Sequence, residues 1–298
     1  MRHFTAYLLL FSCSLLHAYD LVVDGVYISI IGPRFAYVTN AGLDSATPCY
    51  SGDIVVPQQV TYNGRVYNIS SVGDNAFVGC DELTSVQLPP TVTAVSACAF
   101  LGCTALRSVN MPKGMLTVTN AAFSACTSLQ HISLPRHQES VNDMTFYCCA
   151  SLTSLVLPHR IRTIQSTAMQ HLPSLTDLYC FASEPPVAEV GAFSLADQQK
   201  CTLHVPRETI GKYREAPVWC DFCEIVPLQD SEYEEQGYLR GDINDDGEVD
   251  GRDLALLRLI IVSLPDDSAV RWAADINEDG IVNAKDYVLL ANVCGSGN

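Results

Sequence analysis

Five consecutive blocks of 23 residues carry the same residue types at the same offsets, and this period constrains the fold more than any other feature. The blocks begin at Val72, Val95, Val118, Val141 and Ile164. A unit this short cannot bury its own apolar face, so it must stack on its neighbours. The sequence therefore predicts a solenoid.

Each block divides into two halves. The L-x-x-V-x-L-P half is apolar on alternate residues near its end and predicts a short strand that proline terminates. The other half carries a cysteine and a phenylalanine whose ring should point inward. We expect the strands of successive coils to form one shallow, concave parallel sheet. The recurring positions are Phe77, Phe100, Phe123 and Phe146; Cys80, Cys103, Cys126 and Cys149; and Leu83, Leu106, Leu129, Leu152 and Leu175.

These blocks resemble the BspA-like leucine-rich repeats of bacterial surface antigens, whose pattern is A-F-x-x-C-x-x-L-x-x-[VI]-x-[LI]-P. The match is strong in four blocks and weaker in the fifth, where Met169 replaces the phenylalanine and Leu172 the cysteine. Degraded terminal repeats are typical of a capped solenoid. The resemblance covers roughly residues 21–228. It implies a right-handed α/β solenoid and protein ligands, including host matrix components or other bacteria.

The flanking segments suggest the domain organisation. A weakly basic start, an apolar run and Ala18 predict a cleaved signal peptide, and Cys13 leaves a lipoprotein form as the alternative. No later stretch has the length and apolarity of a membrane span. The expected divisions are 1–18 signal peptide, 19–71 N-terminal cap and first degenerate coil, 72–186 five repeats, 187–228 degenerate coil and C-terminal cap, 229–238 linker, and 239–298 a small all-α calcium-binding module.

Thirteen cysteines in an exported chain normally suggest disulfides. Cysteines in one column of stacked coils point the same way, however, so we expect a ladder of buried thiols rather than bridges. Cys220 and Cys223 form a C-x-x-C outside any βαβ context, which favours packing in the cap or a local disulfide over a redox motif.

Two loops near the C-terminus carry oxygen ligands at positions 1, 3, 5, 7, 9 and 12, with glycine at position 6. Calcium takes six to eight oxygen ligands, and this spacing places side-chain oxygens and one backbone carbonyl around it. Two copies 33 residues apart predict two calcium sites. The expected ligands are Asp242, Asn244, Asp246, Glu248 (carbonyl), Asp250 and Asp253 in the first loop, and Asp275, Asn277, Asp279, Ile281 (carbonyl), Asn283 and Asp286 in the second.

Each loop leads into a predicted helix, and position 12 is Asp rather than the Glu of an EF-hand. This duplicated loop and helix resembles a type I dockerin over about residues 239–294. The resemblance implies that calcium folds the module and that one helix face binds a cohesin domain. The implied recognition residues are Gly251, Arg252, Arg258, Ala284 and Lys285, which depart from the common Ser/Thr pairs. The alternative to a cohesin-binding module is a C-terminal cap that calcium holds folded and that binds no partner.

Charge supports cation binding in this region. Residues 239–298 contain twelve acidic and five basic side chains, which would repel one another without a cation. The whole chain has a formal net charge of −16 and a pI of about 4.6, which argues against binding nucleic acid or anionic membranes.

No catalytic motif is found, and the histidines are scattered over different coils, so we expect no enzyme. His137 and His159 should lie in solvated loops of adjacent coils. The expected outward strip of the strands is small and polar, which suits an extended partner. Its residues are Ser85, Gln87, Ser108, Asn110, His131, Ser133, Ser154, Val156, Asp177 and Tyr179.

Two functions fit these features. One is a secreted or surface adhesin whose solenoid recognises a protein ligand while the C-terminal module tethers it to a cohesin-bearing protein. The other is a non-catalytic subunit of a polysaccharide-degrading assembly. Sugar-binding strips normally expose several aromatic rings. Tyr179 is the only ring on the strip, so protein binding ranks first.

Overall fold

A computed structural model describes residues 19–40, 49–236, 238–245, 248–263 and 267–295. The expected signal peptide, residues 1–18, lies outside this part of the chain. None of the described helices is both long and apolar enough to cross a membrane.

The N-terminal cap is an antiparallel meander of β1 (Leu21–Val23), β2 (Val26–Ile31) and β3 (Phe35–Val38). A hairpin through Gly32-Pro33 joins β2 to β3, with Ile31 opposite Phe35 and Gly32 at a positive φ of 65°. Strand β3 then pairs in parallel with a strand of the first coil, so the meander covers the N-terminal end of the solenoid.

The coils contribute strands to two parallel series, eight strands in the first and six in the second. The first series forms the expected strand face: β4 (Gly52–Val55), β7 (Leu83–Gln87), β9 (Ser108–Val109), β11 (His131–Ser133), β13 (Ser154–Leu157), β15 (Asp177–Cys180), β17 (Thr202–Val205) and β18 (Glu224–Pro227). The second, at the next corner, comprises β6 (Arg65–Val72), β8 (Ala94–Val95), β10 (Thr117–Val118), β12 (Ser140–Val141), β14 (Thr163–Ile164) and β16 (Val187–Ala188), with β5 (Gln59–Tyr62) as a hairpin partner of β6.

The phenylalanine column lies in the core, as the repeat predicts. Phe77, Phe100, Phe123 and Phe146 are fully buried. Their rings stack nearly parallel, with successive centroids 4.9, 5.2 and 6.0 Å apart. Met169 continues the column in the fifth block and is also fully buried. This continuous apolar interior confirms the solenoid.

A side-chain amide bridges one of the two places where the parallel ladders are interrupted. No ladder pairs β9 with β11 or β10 with β12 among the described strands. Between β10 and β12, Gln138 accepts from the backbone N–H of Val118 and donates to its carbonyl, both at 2.8 Å. Asn110 extends the intact ladder of β7 and β9 in the same way: it accepts from the N–H of Leu88 at 2.5 Å and donates to its carbonyl at 2.9 Å. These amides replace backbone partners that would otherwise be unsatisfied.

The cysteine ladder is confirmed for three of its four members. The thiols of Cys103, Cys126 and Cys149 are buried and donate to the carbonyls of Phe77, Phe100 and Phe123 at 3.0–3.1 Å. Burial raises the pKa of the Cys103 and Cys149 thiols to about 12, so both remain protonated and unreactive.

The expectation of thiols without bridges is wrong for Cys80. This residue forms a disulfide with Cys49, with a Cα–Cα distance of 5.3 Å. Cys49 belongs to the preceding degenerate coil and not to the column, so the parallel arrangement that disfavours bridges within the column does not apply to this pair. The other cysteines in the described part of the chain are free, and Cys220 and Cys223 are both exposed, so neither cap packing nor a local disulfide is formed.

The C-terminal end of the solenoid is closed by short helices and an aromatic cluster. The helices are α1 (Leu195–Gln198) and α2 (Ile210–Glu215), and 3-10 turns span Arg207–Thr209 and Trp219–Asp221. Tyr213, Trp219 and Phe222 are buried, as expected of a cap. The indole N–H of Trp219 donates to the Pro186 carbonyl at 2.7 Å.

A helix occupies most of the expected linker. Helix α3 (Asp230–Glu235) begins with a reciprocal capping box between Gln229 and Glu232, and its Tyr233 is buried. The chain continues into α4 (Gly251–Ile260), α5 (Ser268–Ala274) and α6 (Ala284–Gly295). Their core is small and apolar, centred on Ile243, Leu257, Ala274 and Leu290.

Candidate functional sites

The strand face presents all ten expected strip residues at least partly to solvent. The residues between them point inward, because a strand alternates its side chains: Val86, Ile132, Leu155 and Leu178 are buried. The face is polar and nearly flat. Around Ser85, Gln87 and Ser108 it forms only a shallow depression of about 330 Å³.

Several strip residues are engaged with their neighbours. The Ser85 hydroxyl donates to Asp53 at 2.6 Å, and Asn110 is held by the Leu88 backbone. His131 Nδ1 lies 2.7 Å from the Ser154 hydroxyl. Hydroxyl donors such as that of Ser85 hold the pKa of the Asp53 carboxyl below its usual value.

The C-terminal half of the strip lies in a cleft of about 210 Å³. Its strand side is formed by His131, Ser133, Ser154, Val156 and Tyr179. Its other side is helix α3, through Glu232, Glu235 and Gln236. Tyr179 stacks on His204 with centroids 4.3 Å apart, and His204 Nε2 lies 2.9 Å from the Asp177 carboxylate. Burial, and then the negative charge of Asp177 and Glu232, raise the pKa of Tyr179.

The two predicted calcium loops close in the same way. The position-12 carboxylates, Asp253 and Asp286, are fully buried. Asp253 accepts from the backbone N–H groups of positions 2, 3 and 9 at 2.8, 3.1 and 2.9 Å. Asp286 does the same at 2.9, 3.2 and 2.8 Å. This equivalence follows from the duplicated sequence, and it fixes the start of the helix after each loop.

The donor chemistry of the second loop fits a hard cation, because every candidate ligand is an oxygen. Asp275, Asn277 and Asp279 point their oxygens at the loop backbone, where they accept from Gly280, Asp279 and Ile281 N–H groups at 2.8–3.0 Å. Among the residues that the structure describes, no three His, Cys, Asp or Glu side chains converge to hold a metal ion. The expectation of two calcium sites thus stays a prediction. Asp246 and Gly247 lie outside the described residues.

The expected recognition residues are accessible. Gly251, Arg252 and Arg258 on α4 and Ala284 and Lys285 on α6 are all exposed. Apolar side chains of the same two helices, and of the turn that follows α4, are also exposed: Leu259, Val262, Val288, Leu289 and Val293. Arg252 bonds Asp250 and Glu248 within the first loop. The two helices therefore carry an open surface of mixed apolar and cationic character.

The expectation of solvated loop histidines is wrong for His159. Its side chain is only 3% exposed, because residues of the C-terminal region pack on it. His159 Nδ1 lies 3.0 Å from the Tyr238 hydroxyl, and its Nε2 lies 3.7 Å from Asp267. Burial lowers the pKa of His159 to about 4, and the Asp267 charge only partly opposes this shift.

A second buried contact involves Asp245, at position 4 of the first calcium loop. Its carboxylate forms an ion pair with Arg136 of the solenoid. Burial raises the pKa of Asp245 to about 6 against the opposing effect of Arg136. Sequence reasoning missed Arg136, Tyr238 and Asp245, since none of them falls at a repeat or ligand position.

Comparison with known proteins agrees with these two regions. The family model of the BspA type leucine-rich repeat region matches residues 66–184 in six copies, where the 23-residue register gives five blocks. The family model of the type I dockerin domain matches residues 240–293. Both domain types are typically non-catalytic binding modules of extracellular or surface proteins, and type I dockerins bind calcium. No protein with a curated description matches the chain.

Solved structures similar to this chain include leucine-rich repeat proteins of several bacteria. The T. pallidum leucine-rich repeat protein is 27% identical, with 53% of this chain and 70% of that chain covered and a TM-score of 0.46. A leucine-rich repeat protein from Bacteroides capillosus is 24% identical, with 45% of this chain and 95% of that chain covered and a TM-score of 0.39. A leucine-rich cell surface protein from Faecalibacterium prausnitzii is 15% identical, with 72% and 96% covered and a TM-score of 0.37.

The repeats, the buried phenylalanine column and the two closed loops agree with both family matches. The chain thus contains BspA-type leucine-rich repeats over residues 66–184 and a type I dockerin domain over residues 240–293.

Proposed function

We propose that this protein is an exported, non-enzymatic binding protein with two recognition surfaces. The solenoid binds a protein ligand along its strand face, in an adhesion-type role. The calcium-loaded dockerin domain binds a cohesin-like domain of a scaffold or cell-surface protein. The observation on which this proposal rests is that both surfaces are accessible in the same structure. The polar strip is accessible, and the recognition residues of α4 and α6 are all exposed.

The chemistry of the strip supports binding rather than catalysis. Its hydroxyls, amides and imidazole are distributed over five coils and do not converge on one point. A shallow polar surface of this kind gains affinity from area, as extended protein interfaces do. Tyr179 already stacks on His204, so the strip offers no series of open rings for sugars.

The chemistry of α4 and α6 supports a separate partner. Val262, just after α4, is 88% exposed and Val288 on α6 is 58% exposed, while Arg258 and Lys285 add positive charge. Apolar side chains beside cations form a surface that a partner with an acidic rim would cover. The dockerin match indicates that this partner is a cohesin-like domain.

A pull-down from the source cell surface in calcium, repeated in chelator, tests both surfaces. We expect Arg258→Glu to abolish the calcium-dependent capture of a cohesin-bearing protein, and the matched exposed variant Lys113→Glu to leave it unchanged. We expect Gln87→Arg on the strip to reduce capture of the solenoid ligand, whereas Gln58→Arg, an exposed glutamine away from the strip, does not.

The identity of the captured proteins separates the two roles. Host matrix proteins retained with or without calcium support adhesion. A cohesin-bearing partner retained only with calcium, together with polysaccharide-degrading subunits, supports the assembly role instead. Capture that neither calcium nor these two variants change would contradict the proposal.

A further inference from the structure

The dockerin domain and the solenoid share an aromatic core. Phe181 of the solenoid contacts Tyr233 of α3 and Tyr238, with centroids 5.0 and 5.3 Å away. Tyr233 in turn stacks on Trp272 of α5, with centroids 4.9 Å apart and planes 7° from parallel. Phe181, Tyr233 and Tyr238 are buried. Three segments far apart in the sequence therefore bury their rings together, which a flexible linker would not allow.

Arg136 attaches the first calcium loop to the edge of the solenoid. Its guanidinium lies 4.2 Å from the centroid of the Tyr238 ring and pairs with the Asp245 carboxylate. The Tyr238 hydroxyl reaches His159 on the adjacent coil. A planar cation between a ring and a carboxylate is a geometry that arginine provides and lysine does not. Position 4 of the loop is not a predicted calcium ligand. Its side chain contacts the solenoid instead.

Arg240 attaches helix α3 to the second calcium loop. Its guanidinium lies 4.4 Å from the centroid of the Trp272 ring and 3.2 Å from Asp230 at the start of α3. The same group donates to the Asp275 carbonyl at 2.7 Å and lies 3.3 Å from Glu278. One side chain therefore connects α3, α5 and the second loop, so that these elements move as a unit.

We propose that the dockerin domain docks in cis on the solenoid through this interface, and that docking holds α3 in place as one wall of the strand-face cleft. The domain is then an integral part of the ligand-binding surface and not an appendage on a linker. The importance of the cleft for ligand binding rests on the proposed function, whereas the docking itself does not.

Docking leaves the second recognition surface available. The exposed residues of α4 and α6, including Arg258 and Val288, lie outside the aromatic interface. A cohesin-like partner would therefore bind without displacing the solenoid. The ligand and the partner would be held in a fixed relative orientation, which a flexible tether cannot provide.

Tryptophan fluorescence tests the docking without any ligand or partner. The chain contains two tryptophans, the capping Trp219 and the interface Trp272. In the full-length Trp219→Phe protein with calcium, acrylamide quenching therefore reports Trp272 alone. We expect Arg136→Asp and Asp245→Arg each to weaken docking at least about tenfold, because each places like charges in a buried contact. Quenching of Trp272 and the radius of gyration from X-ray scattering should both increase.

The double variant Arg136→Asp with Asp245→Arg provides the decisive comparison. It restores opposite charges, so quenching and radius should return toward the parent values. Arg107→Asp, an exposed arginine elsewhere on the solenoid, is the matched control and should change neither. Single variants without effect, or a double variant that fails to recover although its helices remain folded by circular dichroism, would overturn the proposal. Because the assay contains no ligand, its failure would leave the proposed function standing.

Discussion

Acidification should remove the contribution of His159 to docking of the dockerin domain on the solenoid, because His159 is buried in the interface as a neutral imidazole. The groups that face it are Tyr238, Asp267, Arg136, Arg160 and His137. Burial is the dominant effect and disfavours the charged form, so the pKa of His159 falls from the usual 6.5 to about 4.

The sign of the effect follows from proton binding. In the undocked protein His159 would be exposed and would titrate near 6.5. Between pH 6.5 and about 4 the undocked form takes up a proton that the docked form excludes. The contribution of His159 to docking is therefore complete above pH 6.5 and is lost as the pH falls toward 4.

The two pKa values give the size of the effect. Relative to pH 8, and to the His159→Gln variant under the same conditions, docking should weaken about tenfold at pH 5.5 and about thirtyfold at pH 5, which corresponds to roughly 2 kcal/mol. The variant is the reference because Asp245, whose pKa burial raises to about 6, binds a proton in the docked form over the same range and opposes the His159 effect in both proteins. The side chain is 3% exposed, so little solvent screening reduces this figure.

Trp272 quenching in the Trp219→Phe protein, at a urea concentration that populates both forms, measures this change. His159→Gln retains a hydrogen-bonding side chain but does not titrate, and it is the control. We expect the variant to retain only the opposing contribution of Asp245, so its docking should not weaken between pH 6.5 and 5. If the parent protein and the glutamine variant follow the same curve, the argument from His159 burial is wrong.

Three further predictions concern stability. Phe123→Ala should destabilise the solenoid by about 3–5 kcal/mol in urea unfolding because it opens a cavity in the ring stack, whereas the half-exposed Leu116→Ala should cost less than about 1 kcal/mol. Cys49→Ser should cost about 3–4 kcal/mol through loss of a disulfide that closes a long loop, while Cys98→Ser, a free cysteine, should change little; both are measured by thermal unfolding under oxidising conditions. Chelation by EGTA should reduce helical circular dichroism and expose the dockerin domain to proteolysis while the solenoid stays intact; an unchanged spectrum would contradict the calcium prediction.

Much of the fold follows from periodicity. The 23-residue repeat predicts the stacked coils, the inward phenylalanines and the outward strip, since these depend only on which residues recur at which offset. The positions of the two loops follow from ligand spacing in the same way. The disulfide could not be predicted, because Cys49 lies in a degenerate coil without a register from which to infer its neighbours.

The interface between the two domains could not be predicted from the sequence either. The acidic stretch around Asp230 has the composition of a linker, yet Tyr233 within it is buried against Phe181 and Trp272. The residues next to a tyrosine in the sequence do not reveal whether its ring is exposed or packs on a residue about 50 positions away in the chain. His159 was misjudged for the same reason: as a loop residue it would be solvated, and only the packed dockerin domain buries it.

By itself, the sequence determined the repeating unit and the oxygen-rich loops, because both are encoded in local patterns that each copy repeats. Only the tertiary structure decided where the last domain lies on the solenoid. That placement depends on single contacts, such as Arg136 with Asp245 and Arg240 with Trp272, between residues that occur once and belong to no period.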